Sequence, residues 1–366
     1  MIRIKCVLCD SSSLNDIFTL SNYPITPSSN NLDPSRDEFQ DCIFMSCVEC
    51  SCIQLKTLID PIKLYSNAHN STEETPTWKE HHRLFANFIK DNNTHDTILE
   101  IGGNGGILYK LLSSYLPQYT LMDICDSETR PKEVNFIQGN CEHFDFTDHR
   151  CIVLSHTFEH LYNPRDFIIN LYTAKVDSVF ISIPNMDYLY SSGNMSILHN
   201  EHTFFIRDNE IKRIFSEFGY SCKASCDFRN HSRFYHFIYD SKVHMIPIDN
   251  NCEYIVGFQN TLLKYETSLK ALDITMPFFI CPAGHYGQKI YYYLQRFSSH
   301  LKGFIDNDVS KQNKRVYGTP AYVHSPDILK TYRDNPVCII LYAGPYTNEL
   351  KTQLNLLHSS ITYITI

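Results

Sequence analysis

Apolar and polar residues alternate with two different periods in the middle of the chain, and the switches between them mark its elements. Trp78 to Asp91 carries Leu84, Phe85, Phe88 and Ile89 at helical spacing, which predicts an amphipathic helix. Thr97-Ile98-Leu99-Glu100-Ile101 is a short apolar run ending at a glycine turn, which predicts a buried strand. A helix through Ile107, Leu108, Leu111 and Leu112 follows. Strands are then expected at Tyr119–Met122, Cys151–Leu154 and Ser178–Ile183, with helices near Asp166–Tyr172 and Asp208–Phe218. Such alternation implies a parallel sheet covered on both faces.

The pattern returns near the end of the chain. Phe278–Cys281, Leu301–Ile305, Tyr322–Val323, Val337–Tyr342 and Ile361–Ile366 read as strands, and Gly287–Phe297 reads as a helix. A helix from Tyr254 to about Leu272 stands between the two blocks, as a connector or packing element. Residues 1–75 hold six cysteines and many turn formers, but little periodicity. The fold class expected is therefore α/β in three parts. These are a small N-terminal zinc-binding module (1–75), a central Rossmann-like domain (76–245) and a second doubly wound domain (246–366).

Length and charge narrow the function. A chain of 366 residues exceeds one ordinary core. Its formal net charge of -8, without a Lys/Arg block, offers nothing for nucleic acid. No apolar run is long enough for a membrane span and no signal core opens the chain, so a cytoplasmic protein acting on a small molecule is expected, as monomer or homodimer.

The fourteen cysteines are then mostly reduced, and some call for a metal. Cys6-Val7-Leu8-Cys9 and Cys47-Val48-Glu49-Cys50 are two CxxC knuckles. Four thiolates in tetrahedral array suit zinc and leave no open position, so the zinc would be structural. Cys42 and Cys52 lie near enough in sequence to substitute for one of them.

Glu100-Ile101-Gly102-Gly103-Asn104-Gly105-Gly106 follows a strand and opens a helix. The ExGxxxG pattern differs from the GxGxxG of dinucleotide sites and favours S-adenosylmethionine (SAM). Glu100, Gly102, Asn104 and Gly106 are thus candidates for cofactor binding. Asp123, at the end of the next strand, is placed to accept the ribose hydroxyls, and Asn140, after the third strand, to bond the adenine edge. Ser155 closes the fourth strand and opens Ser155-His156-Thr157-Phe158-Glu159-His160, a loop expected over the methyl group. Read as H-x-x-E-H, that string matches a zinc-peptidase motif, but His156 follows a strand directly and Asn163-Pro164 leaves no room for the helix the motif needs. His199-Asn200-Glu201-His202, ahead of apolar Phe204-Phe205-Ile206, offers imidazoles for general-base work.

With these residues in hand, the chain resembles the zinc-containing sugar C-methyltransferases that act on nucleotide-activated keto-sugars. The likeness rests on both CxxC pairs, Pro76-Thr77-Trp78, Ile98–Gly102, Phe158-Glu159-His160-Leu161-Tyr162-Asn163-Pro164 and Glu201-His202. Phe304-Ile305-Asp306-Asn307 and Gly318-Thr319-Pro320 add to it near the end of the chain. The resemblance implies SAM and zinc as cofactors and a nucleotide-linked sugar as acceptor. It implies His202 as base, Glu201 to orient it, and His160 against the substrate or the enolate oxygen. That family usually reads Tyr-His-Glu-His where this chain has His199-Asn200-Glu201-His202. It also often carries tyrosines where this chain has Ala68-His69-Asn70. A phenol is therefore expected to be missing at both places, with His199 in place of one. Alternatives are O- or N-methylation of a sugar-like metabolite, and a NAD-dependent sugar oxidoreductase or epimerase. The second would use Ala283-Gly284-His285-Tyr286-Gly287, with Asp306 after the next strand. That last turn is expected to be structural.

Overall fold

The computed structural model describes residues 1–66, 76–103, 105–250, 252–332, 335–342, 344 and 347–366. Asn104 and Ala68-His69-Asn70 lie outside them.

The N-terminal region is more regular than its sequence pattern suggests. It contains β1 (Leu14–Pro24), β2 (Ser29–Asn30), β3 (Phe39–Cys47), β4 (Ile53–Leu55) and the short helix α1 (Pro61–Ser66). Strands β1, β3 and β4 form an antiparallel sheet whose fourth strand, Phe204–Phe205, comes from far along the chain. Strand β2 pairs with Arg315–Val316. The region buries its apolar faces against the rest of the protein, with Phe44 against Phe205 and Phe258.

Helix α2 (Pro76–Asn92) opens the central domain and buries Thr77, His81, His82, Phe85, Ala86 and Ile89, a stripe of helical period. There follow β5 (Thr97–Ile101), α3 (Ile107–Leu112), β6 (Gln118–Asp123), β7 (Asn135–Gln138), β8 (Cys151–Ser155), α4 (Pro164–Thr173) and β9 (Ser178–Pro184). After them come α5 (Met186–Ser191), β10 (Phe204–Phe205), α6 (Asp208–Ser216), β11 (Tyr220–Phe228) and β12 (Ser232–Tyr239). The sheet order is β11-β12-β9-β8-β5-β6-β7. Its strands run parallel from β9 to β7, and β12 is antiparallel to both β9 and β11. The order in which strands are added reverses between β5 and β8, the switch point at which such sheets hold ligands. Strands β8 and β9 are buried nearly throughout, as the continuous apolar runs require.

Helix α7 (Cys252–Lys270) packs on α5 and on the first helix of the next domain. That domain comprises β13 (Phe278–Cys281), α8 (His285–Leu294), β14 (Leu301–Ile305), β15 (Arg315–Val316), β16 (Val323–His324), β17 (Val337–Leu341), α9 (Thr347–Leu357) and β18 (Ile361–Thr365). Its sheet, β16-β14-β13-β17-β18, is all parallel. Among the described residues, no helix is long and apolar enough to cross a membrane.

Candidate active site

The glycine turn after β5 is closed by its neighbours. Gly102 has φ +75° and donates its N–H to Met122 O at 2.8 Å. A Cβ there would stand 2.2 Å from Thr157 Oγ1, and that hydroxyl donates to Ile101 O. The β8 loop therefore rests directly on the turn, and only glycine fits between them. Gly106 has φ +68° and stands as the N-cap of α3. Beneath the turn, the buried Glu100 carboxylate accepts the Tyr119 hydroxyl at 2.7 Å. Asp123 ends β6, and its Oδ1 accepts Cys125 N–H at 3.3 Å. Asn140 uses its side-chain oxygen to accept Glu142 N–H and cap a single 3-10 turn. Ser155 Oγ, at the end of β8, is buried without a hydrogen-bond partner among the described residues.

Beside this turn lies a cluster that the chain assembles from distant segments. His156 adopts φ +51° at the strand end, its Nδ1 lying 3.1 Å from Glu159 Oε1 and its Nε2 2.7 Å from Ser232 Oγ. Burial holds the His156 pKa down to about 3 and pushes the Glu159 carboxyl up to about 7, with His160 pulling the latter back. Thr203 N–H donates to Glu159 O at 2.9 Å, which draws the His199–His202 loop against the β8 loop. Arg3 locks both from below, donating to Tyr162 O at 2.7 Å, to Thr203 Oγ1 at 3.0 Å and to Thr203 O. As a result His202 stands edge-on to His160, with ring centroids 4.9 Å apart, and stacks on His199 at 4.0 Å. Burial, with His199, His160, His156 and Lys289 nearby, drives the His202 pKa well below its usual value. The ring is therefore neutral, with a lone pair available. His199 Nε2 lies 3.9 Å from Glu201 Oε2, so the carboxylate stands beside the stacked pair.

Two other parts of the chain complete the cluster. The Tyr65 hydroxyl lies 2.9 Å from His160 Nδ1. A phenol is thus present beside His160, delivered by α1 from a few residues ahead of Ala68-His69-Asn70, which lie outside the described residues. From the C-terminal domain, the His285 ring lies 4.8 Å from His199, and Tyr286 bonds Ser196 through its hydroxyl. Lys289, 1% exposed, donates to Met195 O at 3.4 Å, and burial lowers its pKa to about 7. The sequence motifs pointed to His160, His199, Glu201 and His202, and the structure brings these together. Tyr65 and Lys289 carried no motif, and His285 was read only as part of the Ala283–Gly287 turn. Glu159 did, in the H-x-x-E-H string, although the helix that string implies is a single 3-10 turn here.

In the N-terminal region, Cys6, Cys9, Cys47 and Cys50 bring their sulfurs within 4.8 Å of one another. The two knuckles are built alike. Asp10 donates to Cys6 O and Ser51 to Cys47 O, and Asp10 and Ser51 have φ of 61° and 58°. Cys42 and Cys52 do not join the group. Cys42 lies in the core around β1 and β3, and the Cys52 thiol turns to Ile53 O.

In the C-terminal domain, the turn before α8 is filled by the protein itself. Lys311 Nζ lies 3.3 Å from Asp306 Oδ2 and 3.8 Å from where a Cβ on Gly284 would stand.

Residues 73–224 match the family model of a methyltransferase domain. Among solved structures, the chain is similar to the magnesium protoporphyrin IX methyltransferase of Synechocystis PCC 6803 with bound S-adenosylhomocysteine (SAH), at 12% identity over 45% of this chain and 84% of that one, TM-score 0.36. It is also similar to the N-methyltransferase NodS of Bradyrhizobium japonicum WM9 in complex with SAH, at 14% identity over 46% and 89%, TM-score 0.37. No curated protein matches it. Residues 73–224 are a methyltransferase domain.

Proposed function

We propose that this enzyme methylates the carbon beside a ketone in a nucleotide-linked keto-sugar. The observation that carries the reading is the buried cluster of His160, His199, Glu201 and His202, with the Tyr65 hydroxyl against it, set beside the glycine turn. The ketone acidifies the neighbouring C–H. One imidazole of the stacked His199–His202 pair removes that proton. The resulting enolate carbon attacks the SAM methyl as the S–CH3 bond breaks, and the electron pair returns to sulfur to give SAH. His160, Tyr65 and Lys289 are the groups positioned to stabilise the enolate oxygen. Gly102, Asp123, Asn140 and Ser155 line the cofactor side. The Cys6/Cys9/Cys47/Cys50 group holds a structural zinc that fixes the N-terminal sheet.

His202→Asn keeps bulk and a hydrogen bond but has no basic nitrogen. It is expected to lower turnover by ~10²–10⁴ with SAM affinity nearly intact. Wild-type enzyme with SAH bound should exchange deuterium into the acceptor beside its ketone. Methyl transfer without such exchange, onto an oxygen or nitrogen, would overturn carbon methylation. For the metal, Cys6→Ser should abolish zinc by elemental analysis and lower the thermal midpoint. Zinc retained in that variant would mean another ligand set.

A further inference from the structure

Glu159, His160 and His202 each offer one ligand atom, and those three atoms lie within 4.8 Å of one another. The carboxylate is the informative member. It is 2% exposed, its Oε1 is engaged by His156, and its Oε2 has no hydrogen-bond partner among the described residues. A buried carboxylate oxygen without a donor is costly, and chains that keep one give it a partner. The carboxylate shares its 4.8 Å group with two imidazoles. The Tyr65 hydroxyl lies against His160 Nδ1 and orients the ring, the outer-sphere support usual for a metal-binding histidine. His156, held by Ser232, supports Glu159 in the same way. The bond from Thr203 N–H to Glu159 O fixes the loops that carry the three ligands.

We propose that Glu159, His160 and His202 form a site for a divalent cation, with open coordination positions that take oxygens of the methyl acceptor. Two imidazoles and one carboxylate suit zinc, manganese, cobalt or ferrous iron, unlike the all-thiolate group near the N-terminus. Donor atoms about 2.1 Å from an ion stand about 3–4 Å apart, so closure needs side-chain movements of about 1 Å. The cation polarises the acceptor carbonyl and holds the enolate oxygen. His202 is then a ligand, and the imidazole left to take the proton is its stacked neighbour His199. What fills the open positions rests on the acceptor reading above; the metal site itself does not.

The test is Mn2+ titration of zinc-replete protein with SAH and no acceptor, followed by the loss of the free-ion electron paramagnetic resonance signal. One Mn2+ per chain is expected. Glu159→Gln and His160→Gln should each weaken it at least about tenfold, with zinc content and SAH affinity unchanged as proof of folding. Absence of saturable Mn2+ or Co2+ binding, or binding unaltered in both folded variants, would overturn the site. Saturable binding that both variants lose, in a protein that never methylates beside a ketone, upholds the site and overturns only the acceptor reading. Keto-sugar methylation by a protein that binds no such ion does the reverse.

Discussion

The protein contains the same local device twice, and the two copies differ in what fills them. In each, a central parallel strand ends in a glycine turn that opens a helix, and an aspartate ends the strand beside it. Each turn also lies at a switch point, between β5 and β8 or between β13 and β17. In the central domain, Asp123 is half-buried at the crevice, and the β8 loop roofs the turn through Thr157. In the C-terminal domain, Asp306 is buried and paired with Lys311, whose ammonium occupies the space over Gly284. The first helix there is committed as well, since Gln288 donates to Tyr317 O within the domain and to Thr26 O across its boundary. The two turns differ in what stands over them, the Thr157 side chain in the first and the Lys311 ammonium in the second.

The largest contrast should come from the glycines. Gly102→Val drives a branched side chain into Thr157 at positive φ and should abolish measurable SAM binding in calorimetry. Gly284→Ala, at φ +96°, should instead cost ~1–3 kcal/mol of stability and leave SAM affinity of the folded enzyme unchanged. The aspartates come next. Asp123→Ala should weaken SAM by ~1–3 kcal/mol. Asp306→Ala should leave SAM binding alone but lower stability by about 3 kcal/mol, because Lys311 loses its buried partner. Saturable NAD binding to the wild type would break the contrast.

The smallest effect concerns acid. His81, His82 and His231 surround Trp78 at the central sheet, and burial depresses all three, His82 to about 4 and His231 to about 3. The unfolded chain takes up protons first, so their contribution is complete above about pH 6.5 and is lost as pH falls toward the folded values. His231→Asn should flatten the slope of urea stability against pH between 6.5 and 4. An unchanged slope would place the acid sensitivity elsewhere.

The central domain was readable in sequence because its information is local. Buried runs such as Ile152-Val153-Leu154 and the turn after Ile101 determine strands and register without distant partners. The N-terminal sheet was not readable. Its strands β1 and β3 have interrupted patterns, and two of its pairings come from Phe204–Phe205 and Arg315–Val316. The site divides in the same way. His160, His199, Glu201 and His202 sit in loops with a recognisable order, whereas Lys289 looks like an ordinary helical lysine until α8 is docked. The hydroxyl of Tyr65 becomes informative only against His160.

The pairing of Ser29–Asn30 with Arg315–Val316, reinforced by the two-pronged Asp37–Arg315 ion pair at 2.6 and 2.7 Å, bears on how the chain is born. On a ribosome, the first domain to emerge ordinarily folds first. Here the opening segment must wait for Phe204–Phe205 to close its sheet and for Arg315 to neutralise Asp37, nearly 280 residues behind it. Contacts of such span are entropically expensive to close early. The four cysteines of the knuckles all lie within residues 6–50. A metal captured there would hold that segment in a compact form until Phe204–Phe205 and Arg315–Val316 have been made and can pair with it.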